Sequence, residues 1–360
     1  MRIAFFGSSL VSSYWNGAAT YYRGLLAAMA RRGHEIAFFE PDAYDRQRHR
    51  DMPDPDWARL VVWHATPDGM AGATDQARGY DLIVKASGVG VLDPELEAAV
   101  LALRRPGNAV VFWDVDAPAT LDRLAQDASD PFHRLVPRYD LILTYGGGNP
   151  VVRAYGALGA RDCVPIYNGF DPTTHFPVAA EARFAAELSF LGNRLPDREA
   201  RVDAFLFEAA RRLPEARFLL GGSGWEPGRL PPNLRLLGHV PTADHNAFNC
   251  SSRAVLNVNR ESMARYGFSP PTRVFEAAGA AACLITDRWK GLEMFFEPGR
   301  EVLVAADGAE VAELVGGLDP AHARAVGEAA RRRVLAEHTY DRRAALCDAV
   351  LQGHIGKVAA

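Results

Sequence analysis

Three pieces of one stretch, Asn257-Val-Asn-Arg-Glu-Ser-Met263, Gly267-Phe-Ser-Pro-Pro-Thr-Arg-Val-Phe-Glu-Ala-Ala-Gly279 and Cys283-Leu-Ile-Thr-Asp287, read as a strand, a helix and a second strand. The short apolar runs Ala254–Asn257 and Ala282–Thr286 suit buried parallel strands. Between them Ser269 is a good N-cap and Pro270 suits a first helical turn, so the spacing predicts a helix opening there. The free amides of such a helix start attract phosphate. Ser269, Arg273, Glu276 and Ala280 then share one face, with a cation near the start and a carboxylate one turn deeper. Arg273 offers forked donors to a diphosphate, and ionised Glu276 accepts from two hydroxyls, as a vicinal diol requires. The alternative is a surface ion pair, but an arginine ahead of a glutamate opposes the helix dipole, so helix stability does not explain the order.

Outward from this stretch the same alternation fills the chain. Strands are predicted at Ile3–Phe6, Glu35–Phe39, Leu82–Lys85, Ala109–Trp113 and Leu141–Thr144, with helices such as Ala19–Arg32 and Pro94–Leu103 between them. After the Pro- and Gly-containing segment Val164–Pro177 the pattern restarts at Leu188–Leu191, Arg217–Gly221, Leu234–Leu236 and the strands above, then Val302–Val304. The fold class is therefore α/β, with two Rossmann-like doubly wound domains facing each other across a cleft. The expected boundaries are 1–165, 166–338 (ending on a helix Pro320–His338) and a C-terminal helix over 339–360 that packs back on the first domain. Ligands of such sheets sit beyond the carboxyl ends of the strands.

The 360 residues are enough for two domains of about 150 residues, each with its own core. A net charge of -4 gives no broad reason to expect nucleic acid, so an anionic ligand needs a local basic site. The four cysteines (Cys163, Cys250, Cys283, Cys347) form no CxxC pair and lack a His-rich neighbour, so neither zinc nor a disulfide framework is indicated. The opening Met1-Arg-Ile-Ala-Phe-Phe-Gly7 runs into a strand and a turn, not a signal peptide, and no run of ~18 apolar residues occurs. A cytoplasmic protein with no transmembrane segment is expected, its oligomeric state open.

Several further pieces fall in a familiar order: Tyr167-Asn-Gly-Phe-Asp171, Phe190-Leu-Gly-Asn-Arg194, Leu236-Leu-Gly-His-Val-Pro241, Gly291-Leu-Glu293 and Glu337-His-Thr-Tyr340. Together with Arg273 and Glu276 they resemble the GT-B glycosyltransferases, specifically the CgeB-like group. The resemblance implies a donor-holding second domain, a ribose bound by Glu276, and a base packed against the backbone of the Gly238–Val240 turn, with His239 and Val240 close to it. It implies a nucleotide-sugar donor of the UDP or dTDP type, no required cofactor, no metal, and a small-molecule or glycan acceptor. Retaining relatives carry a second glutamate eight positions upstream, where this chain has Phe268, so the stereochemical outcome is not carried over.

Other candidates follow strands. Asn193 and Arg194 come after the first strand of the second domain, where an arginine reaches a diphosphate; a solvated cluster with Asp197-Arg-Glu199 is the alternative. Gly222 and Ser223 lie in a flexible turn suited to close ligand approach, with plain packing the alternative for Trp225. Arg260 lies on the same rim, with a loop salt bridge as its alternative, and Thr272 stands beside Ser269 at the helix start. In the first domain Ser8, Ser9, Asn16, Gly17 and Tyr145 are the acceptor-side candidates. No GxGxxG follows the first strand, which argues against a dinucleotide dehydrogenase. Asp114-Val-Asp116 looks like a metal-binding DxD but ends a parallel strand; Asp116 is instead the candidate general base. An epimerase or hydrolase on the same fold, or a non-catalytic nucleotide-sugar binder, are the competing functions.

Overall fold

A computed structural model describes residues 1–358. The chain divides into two units, Met1–Asn168 together with the stretch from Tyr340, and Gly169–Thr339. Each unit is built on one wholly parallel sheet.

In the first unit the strands are β1 (Arg2–Phe6), β2 (Glu35–Asp42), β3 (Ala58–His64), β4 (Leu82–Ala86), β5 (Ala109–Asp114), β6 (Leu141–Thr144) and β7 (Cys163–Pro165). Their order across the sheet is β3-β2-β1-β4-β5-β6-β7, so the winding reverses between β1 and β4. Ile3 pairs with Ile36 on one side and Leu82 on the other. Central strands buried on both faces need continuous apolar runs, and Phe5, Val84 and Val111 supply them. The helix Ala19–Arg31 covers one face, and the Tyr340–Val358 helix lies against it, burying Tyr340, Ala344, Cys347 and Leu351 in the same core as Tyr21 and Leu25. Gly24 is required there, since a Cβ would run into the Tyr340 ring.

Sequence periodicity missed β3 and β7. Both are edge strands: β3 is half-exposed, and β7 has only three residues and ends in Pro165.

The second unit holds β8 (Ala186–Leu191), β9 (Phe218–Gly221), β10 (Leu234–Gly238), β11 (Ser252–Asn257), β12 (Leu284–Asp287) and β13 (Leu303–Ala305) in the order β10-β9-β8-β11-β12-β13. Here the reversal falls between β8 and β11, whose registers pair Leu188 with Ala254. Leu188, Phe190, Leu220, Leu256 and Ile285 form the core under helices that include Pro196–Val202, Gly308–Gly317 and Pro320–Glu337.

One helix start differs from expectation. After β11 and a short helix Glu261–Tyr266, the predicted helix runs Thr272–Gly279, with extended Pro271 at its N-cap and no side-chain cap among the described residues. A residue preceding proline is pushed out of the α region, and both Ser269 and Pro270 precede one, so the helix cannot begin before Pro271, and Pro271 itself is the extended N-cap. The Ser269 hydroxyl instead donates to the Gly267 carbonyl.

Candidate functional site

In an open parallel sheet the ligand crevice lies beyond the carboxyl ends of the strands where the winding reverses. In the second unit that point is between β8 and β11. The loop after β8 approaches the loop after β9 closely. The Gly192 N–H donates to the Gly221 carbonyl, the Arg194 N–H to the Ser223 carbonyl, and the Ser223 N–H to Asn193 Oδ1, each at 2.9 Å. The approach depends on Gly222, whose φ of +123° suits glycine and whose Cβ would collide with the Gly192 carbonyl. Trp225 is buried against Phe207 and donates its indole N–H to the Gly192 carbonyl at 2.8 Å. Asn193, Gly222 and Ser223 thus shape the rim, and Trp225 packs beneath it.

Two guanidinium groups border this rim. A Cβ at Gly192 would lie 2.5 Å from Arg198 Nη1 and 3.0 Å from Arg273 Nη2. Arg273 extends over the Phe190 ring, 4.8 Å from its centroid, and donates to Asn257 Oδ1 at 3.3 Å. Asn257 is oriented in turn by its amide, which donates to Asn259 Oδ1 and Thr286 Oγ1 at 3.1 and 3.0 Å. Burial, and then the charge of Arg198, bring the Arg273 pKa down to about 9. Arg273 has no carboxylate salt bridge among the described residues. Two cations held together in a partly desolvated place favour an anion with more than one charge.

One turn along the same helix, the Glu276 side chain is 13% exposed. No hydrogen bond reaches its carboxylate from the described residues, and its one ion-pair-range contact is His175 Nε2 at 3.8 Å. His175 is buried in the turn after Asp171, its Nδ1 2.9 Å from Thr174 Oγ1. His245 opens the helix His245–Ser251, its Nε2 3.3 Å from the Val240 carbonyl, and burial lowers its pKa. A ring nitrogen of each histidine and a carboxylate oxygen of Glu276 all lie within 4.8 Å of one another.

The remaining residues singled out in the sequence stand as follows. Arg194 pairs with Glu199 at 2.7 Å, and Glu199 also takes Arg229 at 3.3 Å. Arg260 donates to Asp197 at 2.7 Å. Val240 is buried with Phe184 and Phe248, whereas His239 is exposed. Ser269 is buried outside the helix, and Thr272 is its first residue. Phe268 adopts φ of +49°, its N–H donating to the Lys290 carbonyl at 2.6 Å and its ring filling the space over Gly291. Sequence reading missed Arg198, taken there as part of a solvated charge cluster, and both His175 and His245. It also missed Asn259, whose buried Nδ2 has no hydrogen-bond partner among the described residues.

In the first unit the loop after β1 is held together by its own polar groups. Ser8 donates to Asn16 Oδ1, Asn16 Nδ2 to the Ser9 and Ser12 carbonyls, and Ser9 to Glu40, at 2.9–3.0 Å. Gly17 is exposed, and Tyr145 is partly buried with its ring 5.6 Å from that of Tyr21. Asp114 is buried and accepts from Tyr155 at 2.5 Å, Thr120 at 3.1 Å and the Asp116 N–H at 3.0 Å, while burial raises its pKa. Asp116 is partly buried at the N-cap of the next helix.

Residues 198–348 match a family described as glycosyl transferase-like. The match is to transferases, and on it the chain is assigned as an enzyme of that class. Solved structures of GT-B glycosyltransferases share its architecture over the whole length. Sucrose-phosphate synthase from Thermosynechococcus elongatus superposes with a TM-score of 0.74 at 16% identity, covering 99% of this chain and 100% of that one. HepE from Anabaena, in complex with UDP and glucose, gives 0.71 at 15% identity over 98% and 100%. An alpha-glucosyltransferase in complex with UDP-glucose and DNA containing an abasic site gives 0.70 at 13% over 99% of each. The fold is therefore GT-B. No curated protein matches the chain in sequence. Among the described residues no helix is long and apolar enough to cross a membrane.

Proposed function

We propose that this chain is a cytoplasmic, metal-independent glycosyltransferase of the CgeB-like kind, moving a sugar from a UDP- or dTDP-sugar to an acceptor hydroxyl or similar nucleophile. The observation that carries the reading is the arrangement on the Thr272–Gly279 helix and its neighbour. Arg273 and Arg198 meet at the rim of the β8–β11 switch point, and the carboxylate of Glu276 lies one turn away without a hydrogen-bond donor among the described residues. A nucleoside diphosphate has the matching parts, a dianionic bridge for the guanidiniums and a ribose diol for the carboxylate. Bond cleavage leaves charge on the departing diphosphate, and fixed guanidiniums in a partly dry site stabilise it. That UDP or UDP-glucose is bound in similar folds supports the choice of donor.

In the first unit Asp116, two residues past the end of β5, is the proposed general base toward a small-molecule or glycan acceptor. Phe268 offers no carboxylate, so no covalent or ion-pair role is assigned at that position.

The test is a panel of nucleotide-sugars, reading thermal shift and nucleotide release. A bound donor at 100 times its Kd adds about 2.7 kcal/mol to the stability of the folded chain. Glu276→Ala and Arg273→Ala should each weaken binding by about tenfold or more, the size expected when charged hydrogen bonds are lost. If no donor stabilises the wild type, or both variants respond as it does, the assignment fails.

A further inference from the structure

His175, His245 and Glu276 come from three segments far apart in the chain and converge at one point of the second unit. Their donor set is two imidazoles and one carboxylate, the combination that suits a first-row divalent cation such as Zn2+ and leaves a coordination position open. The geometry is near that of an occupied site. Ligands about 2.1 Å from a tetrahedral ion are roughly 3.4 Å apart, and His175 Nε2 is 3.8 Å from Glu276 Oε1. All three ligand atoms lie within 4.8 Å of one another, so closing on an ion needs a contraction of at most about 1.4 Å for any pair.

The surroundings favour this further. The Nδ1 of His175 is occupied by Thr174, which fixes the ring and turns Nε2 to the carboxylate. The Nε2 of His245 faces the Val240 carbonyl, the kind of outer contact that orients a metal-bound imidazole through its other nitrogen. Glu276 accepts no hydrogen bond among the described residues, so a cation displaces nothing there.

We propose that His175, His245 and Glu276 form a site for one Zn2+-class ion, and that the ion excludes the nucleotide by engaging the carboxylate that anchors the ribose. Zinc then acts as an inhibitor competing with the donor, not as a participant in transfer. The competition rests on the ribose reading of Glu276; metal binding itself does not.

The full chain, stripped of metal with a chelator and desalted, is titrated calorimetrically with ZnCl2, and then with UDP in the absence and presence of saturating ZnCl2. One Zn2+ per chain is expected. His175→Gln and His245→Gln should each weaken zinc binding tenfold or more, and zinc should raise the apparent Kd for UDP at least tenfold in the wild type. Absence of stoichiometric zinc binding, or binding unchanged in both variants, overturns the site. Zinc bound without effect on UDP overturns the competition. Failure of the metal-free chain to bind UDP instead defeats the donor assignment and leaves the zinc titration to be judged alone. Should a variant fail to fold, the Co2+ complex of the wild type still decides: thiolate charge-transfer absorption would place the metal on cysteine and sink the proposal.

Discussion

Gly192 has its functional consequence in the atoms that a methyl group would displace. A Cβ there meets Arg198 Nη1 at 2.5 Å and Arg273 Nη2 at 3.0 Å, both the far ends of flexible side chains. Gly192→Ala should therefore leave the fold nearly intact while pushing the two guanidiniums apart. We expect donor affinity to drop roughly tenfold, about 1.4 kcal/mol, with a melting temperature close to wild type. An affinity unchanged by calorimetry would mean the arginines do not act on the ligand together. The same residues show what was legible at this scale. Arg273 and Glu276 could be read because a spacing of three on a helix fixes a shared face. Arg198 could not, because Asp197-Arg198-Glu199 reads as a solvated cluster whichever way its members turn. In the folded unit Asp197 takes Arg260, Glu199 takes Arg194, and Arg198 lies beside Arg273. The histidines were beyond sequence reading for a different reason: no local spacing joins residues 175, 245 and 276.

At the scale of elements, the strands that build the two switch points were recoverable because central parallel strands must be continuously apolar. Helix ends were less so. The Ser-Pro-Pro run at 269–271 was read as a cap, yet consecutive prolines hold the chain extended until Thr272. The helix Gly308–Gly317 escaped periodicity altogether, although Asp307-Gly-Ala-Glu310 marks its start. Asp307 accepts from the Ala309 and Glu310 N–H groups at 2.8 and 3.0 Å, and Glu310 reaches back to the Ala306 N–H, one residue before the cap, at 2.7 Å, a variant of the capping box. This helix buries Val311 and Val315 in the core of the second unit. Asp307→Ala should cost about 1 kcal/mol in urea unfolding of that unit, and Asp307→Asn much less. Equal losses in both variants would show that charge at the helix start, not the capping geometry, carries the effect.

At the scale of the whole molecule the chain leaves its first unit at residue 168 and returns at residue 340. The return is energetic as well as topological. Tyr340, Ala344, Cys347 and Leu351 are each at most 1% exposed, and Tyr340 lies edge-on to Tyr21 with ring centroids 6.1 Å apart. Arg31 also pairs with Asp341 at 2.8 Å, and Arg343 donates to the Asn168 carbonyl at 3.1 Å. Burial of a large apolar side chain contributes about 1.5–3 kcal/mol, so loss of Tyr340 and Leu351 alone removes several kcal/mol from a domain whose total stability is of order 5–15 kcal/mol. Removal of the chain from Tyr340 onward should thus loosen the first unit selectively. By hydrogen exchange, amides of β1, β4 and β5 should lose protection, while those of β8, β11 and β12, whose core contains none of the deleted residues, keep theirs. Donor binding, if it belongs to the second unit alone, should survive the deletion within a few-fold even as transfer is lost. Loss of protection in both sheets would show instead that the second unit depends on the first for its stability.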